Sequence, residues 1–144
     1  MSTPVVHVVV GVLFNREGQV LVALRPDSAE HLAGYWEFPG GKKEHNESPL
    51  AALMRELHEE LGITVLQAEP LLLVEHDYPQ KKVVLDVYAV TDYHGHAHGA
   101  EGQQTRWLPL SALSVLRFPE ANEAIIRFLL ASARQRSQVK DPSD

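Results

Sequence analysis

Apolar positions in this chain fall into two rhythms, dense short runs and runs spaced by threes and fours. Residues Val5 to Phe14 are almost continuously apolar and rich in valine, which predicts a buried strand. Asn15-Arg16-Glu17-Gly18 is a turn signal between two apolar runs, so Gln19 to Leu24 is expected as a hairpin partner. Arg25 to Gly34 is polar, punctuated by Pro26, Asp27 and Gly34, and reads as a surface loop. Tyr35 to Phe38 is a short strand that Pro39-Gly40-Gly41 breaks. Further strands are expected over Thr64 to Glu75 and Lys82 to Asp92, joined across Pro79 to Lys81. His94 to Gly102 reads as a loop, Thr105 to Leu110 as a short strand ended by Pro109, and Ser111 to Leu116 as a helical turn.

The helical rhythm begins at Ser48-Pro49, a good start because serine caps and proline suits the first helical position. Leu50, Leu53, Met54, Leu57 and Leu61 recur as an apolar stripe, Gly62 supplies a stop, and Ile63 can make the contact beyond it. A helix over residues 49 to 61 follows. A second amphipathic helix starts at Glu120, carried by Ala121, Ala124, Ile125, Phe128 and Leu129. The tail from Ser132 is polar and is expected to fray. Strands interspersed with two helices imply a layered α/β domain over residues 1–131, followed by a polar tail over 132–144.

Composition narrows the partners. The 144 residues suit one domain, and 44% hydrophobic residues suffice for a packed core. There is no cysteine, so thiolate metal sites and disulfides are excluded. A net charge of −6 argues against broad binding to nucleic-acid polymers. No apolar run approaches the roughly 20 residues that span a bilayer. The N-terminal segment lacks the pattern of a signal peptide, and a cytoplasmic protein is expected.

The first helix carries an electrostatic oddity. Glu56, Glu59 and Glu60 stand at helical spacings that share one face, and they are expected beside the apolar stripe. Like charges at i and i+4 repel, and the helix dipole disfavours negative charge in the last turns. A divalent cation would relieve both costs.

Gly41, five residues, Glu47, seven residues, then Arg55-Glu56-Leu57-His58-Glu59-Glu60-Leu61-Gly62-Ile63 resembles the Nudix box at every fixed position. Trp36 to Gly41, Glu101-Gly102-Gln103 and Phe118 to Glu123 resemble further segments of MutT-type members of that family. The resemblance implies an α/β/α sandwich with a mixed β-sheet. It implies magnesium-dependent (or manganese-dependent) hydrolysis of 8-oxo-dGTP to 8-oxo-dGMP and pyrophosphate, which sanitises the nucleotide pool. It implies a small-molecule nucleoside triphosphate as partner, and a monomer is expected.

By that resemblance Glu56 is the catalytic residue, and Gly40, Glu56, Glu59, Glu60 and Glu101 hold metal. Val10, Arg25, His31, Glu37, Phe38, Pro39, Gly40 and Asn122 contact the nucleotide, while Glu47 and Arg55 orient the carboxylates. The chemistry agrees: magnesium takes oxygen ligands, and a carboxylate can deprotonate or orient water. Asn122 offers an acceptor and donors to a purine edge. Related pyrimidine enzymes that act on CTP or modified dCTP share much of this pattern but carry aspartate where this chain has Asn122. A non-catalytic binding module would normally have a degraded box. Several residues have plainer readings. Glu101 alone is an ordinary loop acid, Trp36 and Phe38 suit a core, and Asn122 suits a helix cap. His7 suits a strand, and His94, His96 and His98 suit a solvated loop.

Overall fold

In the computed structural model, which describes residues 3–25 and 33–138, strand β1 (Val5–Leu13) is the hub. It pairs in parallel with β6 (Lys81–His94) and antiparallel with β4 (Gly40–Lys42). Strand β5 (Thr64–Tyr78) adds to β6 as a long antiparallel hairpin, giving a mixed sheet in the order β4-β1-β6-β5. Strands β2 (Val20–Leu24), β3 (Trp36–Glu37) and β7 (Thr105–Leu108) form a separate antiparallel sheet in the order β3-β2-β7.

Two expectations are corrected here. The turn after β1 forms, with Asn15 Oδ1 accepting from the amides of Glu17 and Gln19. Yet β2 is no hairpin partner of β1; a single bridge, Phe14 to Val20, joins them. Both edges of β1 are already taken by β4 and β6, so β2 diverges into the second sheet. Nor do Gly40 and Gly41 merely break a strand. They begin β4, with Gly40 opposite Val10 and Gly41 opposite Val9. A Cβ at Gly40 would collide with the Val9 carbonyl oxygen, so only glycine lets the backbone lie this close.

Helix α1 (Pro49–Leu61) and helix α2 (Glu120–Gln138) cover opposite faces, and strand alternation divides the core between them. Val9 and Leu13 of β1 pack with Leu53, Leu57 and Leu61 of α1. Val10 and Val12 pack with Leu85 and Val87 of β6, and with Ile125 and Leu129 of α2. The layers are therefore α/β/α, as the family resemblance implies. Gly11 lies on the α1 side, where a Cβ would stand 2.8 Å from a Leu57 methyl, so its bareness sets how closely α1 approaches the sheet.

The Ser48 side chain caps α1 by accepting the Ala51 amide at 3.1 Å, and Gly62 closes it in the left-handed conformation with φ 70°. The buried residues are Ala52, Leu53, Leu57, Glu60 and Leu61. Leu50 and Met54, expected in the stripe, are 44% and 42% exposed. At about 100° per residue the buried arc centres near Leu53 and takes in Ala52 and Glu60, leaving Met54 at its margin. Glu60 thus lies inside the buried face rather than beside it. Helix α2 continues to Gln138, into the segment expected to fray, because Ala131, Ala133, Arg134 and Gln135 all favour helix. Residues 139–144 lie outside the described residues, as do most of the expected loop from Arg25 and its His31. A 3₁₀ helix (Leu110–Val115) precedes α2. No helix among the described residues is long and apolar enough to cross a membrane.

Candidate active site

Arg55 organises the carboxylates of α1. Its Nε and Nη2 grip Glu47 at 2.7 and 2.8 Å, its Nη1 donates to Glu56 Oε1 at 2.9 Å, and its Nη2 also reaches the Lys42 carbonyl at 3.2 Å. Glu59 stands 3.6 Å from Nη1, half exposed. The planar guanidinium can make this fork and reach two further partners at once, which a lysine ammonium cannot. Hydrogen bonds from Arg55 and from the Glu44 amide hold Glu47 down at about 2, well below the usual carboxylate value.

Glu56 and Glu60 are shifted the other way. Burial raises Glu56; Arg55 pulls it down, and the negative charges of Glu59 and Glu101 push it further up. Burial also raises Glu60, to about 8, opposed by a hydrogen bond from the Gly40 amide and reinforced by Glu37, Glu101 and Glu56. That bond spans 3.2 Å to Glu60 Oε2. The Glu56 carboxylate lies directly against the Cα of Gly41, where any Cβ would strike it. The bare Cα of Gly41 is thus what admits the Glu56 carboxylate, while the Gly40 amide holds that of Glu60.

Glu101 arrives on a loop tied to the end of α1. The Glu60 carbonyl accepts from the Ala100 amide at 3.0 Å and from Gln103 Nε2 at 2.8 Å, and the His98 amide bonds the Leu61 carbonyl. Gln103 Oε1 in turn accepts from the Glu101 amide. The loop therefore satisfies carbonyls that a helix end leaves open, and in doing so brings Glu101 near enough to perturb Glu56 and Glu60.

Among the described residues, no three acidic or histidine side chains stand close enough to form a ready metal cage. The donor chemistry nevertheless fits a hard divalent ion: mutually repelling carboxylates, one of them buried, face bare glycine backbone. His94, His96 and His98 form no such group either; His98 Nδ1 contacts the His96 carbonyl, and its ring packs over Gly62.

Beside Gly40 and Gly41 opens a cleft of about 620 Å³. Its floor is apolar, from Val8 and Val10 of β1 and Val83 and Leu85 of β6. Arg25, Glu37 and Phe38 line one side, with Arg25 Nη1 paired to Glu37 at 3.0 Å. Burial raises Glu37, and Arg25 opposes that shift. The start of α2 contributes Pro119, Ala121 and Asn122. The Asn122 side chain hydrogen-bonds to none of the described residues. Gly40 and Gly41 thus stand between this apolar, amide-edged chamber and the carboxylates of Glu60 and Glu56 that touch them.

Of the residues expected around a nucleotide, Val10, Arg25, Glu37, Phe38, Gly40 and Asn122 line this cleft. Pro39 does not: its carbonyl is spent accepting the Gly11 amide at 2.9 Å. His31 lies outside the described residues. Sequence reasoning missed Tyr78, Lys81, Val8, Val83 and Leu85. The alternation of valines marked a face in β1 and β6, but a pattern cannot say which part of that face stays uncovered by α2.

Residues 9–128 match the sequence profile of the NUDIX domain. The chain is 37% identical over 130 residues to an 8-oxo-dGTP diphosphatase of Haemophilus influenzae, covering 90% of this chain and 95% of that one. It is 37% identical over 113 residues to a CTP pyrophosphohydrolase of Escherichia coli, covering 78% and 82%. A solved structure of MutT, from work on Aliivibrio salmonicida and Vibrio cholerae, superposes with a TM-score of 0.76 at 38% identity, covering 89% of this chain and 98% of that one.

Proposed function

The chain belongs to the NUDIX domain family and is a Nudix hydrolase, and we propose that it cleaves 8-oxo-dGTP to 8-oxo-dGMP and pyrophosphate with magnesium as its divalent ion. The observation that carries the substrate is Asn122, whose amide edges an apolar cleft and bonds to none of the described residues. Guanine N7 accepts hydrogen bonds, whereas the 8-oxo form carries a proton there. An amide that offers both an acceptor and donors can meet that altered edge. Val10, Arg25, Glu37 and Phe38 would contact the rest of the nucleotide from the cleft walls and floor.

Glu56, Glu59, Glu60, Glu101 and the Gly40 carbonyl would hold the metal. When bound, such an ion neutralises phosphate charge and makes nearby water more acidic. The remaining work falls to the chain. Arg55 occupies Glu56 Oε1, so Glu56 Oε2 is the oxygen left to take a proton from the attacking water. Arg55 also holds Glu47 and lies within ion-pair distance of Glu59, which keeps the helix face of carboxylates in one register. Charge neutralisation and positioning are the main requirements of this reaction class; the bound ion would supply the first, and the carboxylates that hold it the second.

A second reading, CTP hydrolysis, is supported by the likeness to the CTP pyrophosphohydrolase. Pyrophosphate release from 8-oxo-dGTP, dGTP and CTP, with and without magnesium, separates the two. The expected result is a kcat/KM for 8-oxo-dGTP at least ~100-fold above dGTP, lost on chelation. A higher value for CTP would overturn the proposed substrate, and release from none would point to a binding module.

A further inference from the structure

The start of α2 is held from two sides. Phe118, just before it, stacks on Phe38 with ring centroids 5.5 Å apart. On the other side Tyr78, the last residue of β5, lines the cleft, and its hydroxyl accepts a hydrogen bond from the Ala121 amide at 3.2 Å. That amide belongs to the first turn of a helix, where N–H groups have no partner within the helix. Ala121 is buried, and its neighbour Asn122 edges the cleft. His76, two residues earlier on the same strand face, packs edge-on against the Tyr78 ring at 4.6 Å and pairs with Glu120 at 3.1 Å. The tip of the β5–β6 hairpin therefore sets where the first turn of α2 comes to rest.

We propose that the Tyr78 hydroxyl is a positioning group for base selection, which acts by fixing the peptide that carries Asn122. This rests on the reading of Asn122 as the residue that meets the base. The ring and the hydroxyl have separate tasks: the ring forms a wall of the cleft, and the hydroxyl anchors the helix. The His76–Glu120 pair is the lesser clasp, because Glu120 is 71% exposed and exposed pairs hold weakly.

The test compares wild type, Tyr78→Phe, Asn122→Ala, the double variant and Glu120→Gln for kcat/KM on 8-oxo-dGTP and dGTP. Phenylalanine keeps the wall and removes the hydroxyl that accepts from Ala121. Tyr78→Phe is expected to lower the 8-oxo-dGTP to dGTP ratio roughly fivefold, the size of one ordinary hydrogen bond, through KM for 8-oxo-dGTP rather than kcat. In the Asn122→Ala background the same change is expected to add nothing to the ratio, and hydrogen exchange at the Ala121 amide is expected to quicken in both variants that carry Tyr78→Phe. An unchanged ratio in Tyr78→Phe, or an equal fall with Asn122 already gone, overturns the proposal. So does a Glu120→Gln effect as large as that of Tyr78→Phe, which would assign the anchoring to the His76–Glu120 contact. A wild type without preference for 8-oxo-dGTP would instead remove the substrate reading, and this inference with it.

Discussion

The Gly40 amide and the Glu60 carboxylate meet at 3.2 Å across 20 residues of sequence. This contact ties the first residue of β4 to the last turn of α1 and holds a buried acid against a residue that lines the cleft. Glutamine at position 60 retains an acceptor for the Gly40 amide without a charge to bury. Metal-free Glu60→Gln is therefore expected to melt no lower than wild type, while the rise in Tm caused by magnesium shrinks. Calorimetry with and without magnesium checks both halves; an undiminished magnesium effect would remove Glu60 from the metal site.

Glu56 and Glu47 both accept from Arg55, but only Glu56 lies against Gly41 at the cleft. Glu56→Gln is expected to lower kcat by about 10²–10⁴, the range for losing a positioned base. Glu47→Gln is expected to cost only about tenfold, as loss of a group that orients another. Steady-state kinetics on purified variants with native-like circular dichroism decide the matter. Near-native turnover by Glu56→Gln would end its catalytic assignment.

The Glu47–Arg55 fork makes stability depend on pH on the acid side. Glu47 sits at about 2 in the folded chain against an ordinary 4.5. A depressed carboxyl stabilises the fold fully above the unfolded value and loses that contribution as pH falls through the folded one. Between pH 4.5 and 2 the Tm of wild type is thus expected to fall more steeply than that of Glu47→Gln. Above 4.5 the gap between them should be constant. Parallel curves throughout would show that the fork contributes nothing.

Gly11 sets the distance between β1 and α1. Gly11→Ala places a methyl 2.8 Å from Leu57 Cδ1 and 3.3 Å from Leu53 Cδ1, in a fully buried layer. Overpacking of this kind is expected to cost about 1–3 kcal/mol of stability. Urea unfolding measures it, and a neutral result would mean that the leucines can turn aside.

Legibility followed range along the chain. The bounds of α1 were readable because Ser48, Pro49 and Gly62 act on amides and carbonyls within one turn of themselves. The turn at Asn15 to Gly18 was readable for the same reason, yet the strands it joins parted, because β1 had better partners far away in β4 and β6. Leu50 and Met54 looked like core by type but stand exposed, while Glu60 is buried. Hydropathy states what a side chain prefers, and the sheet decides which side of the helix is covered.

By itself, then, the sequence determined the elements other than β4, the α/β class, and the carboxylates with the arginine beside them, since all of these depend on neighbours a few residues apart. Tertiary structure alone decided that β1 runs parallel to β6, that Gly40 begins a strand, and that Tyr78 anchors the turn carrying Asn122. Each of those joins residues far apart in the chain, or depends on which edges and faces remain free once the sheet has closed.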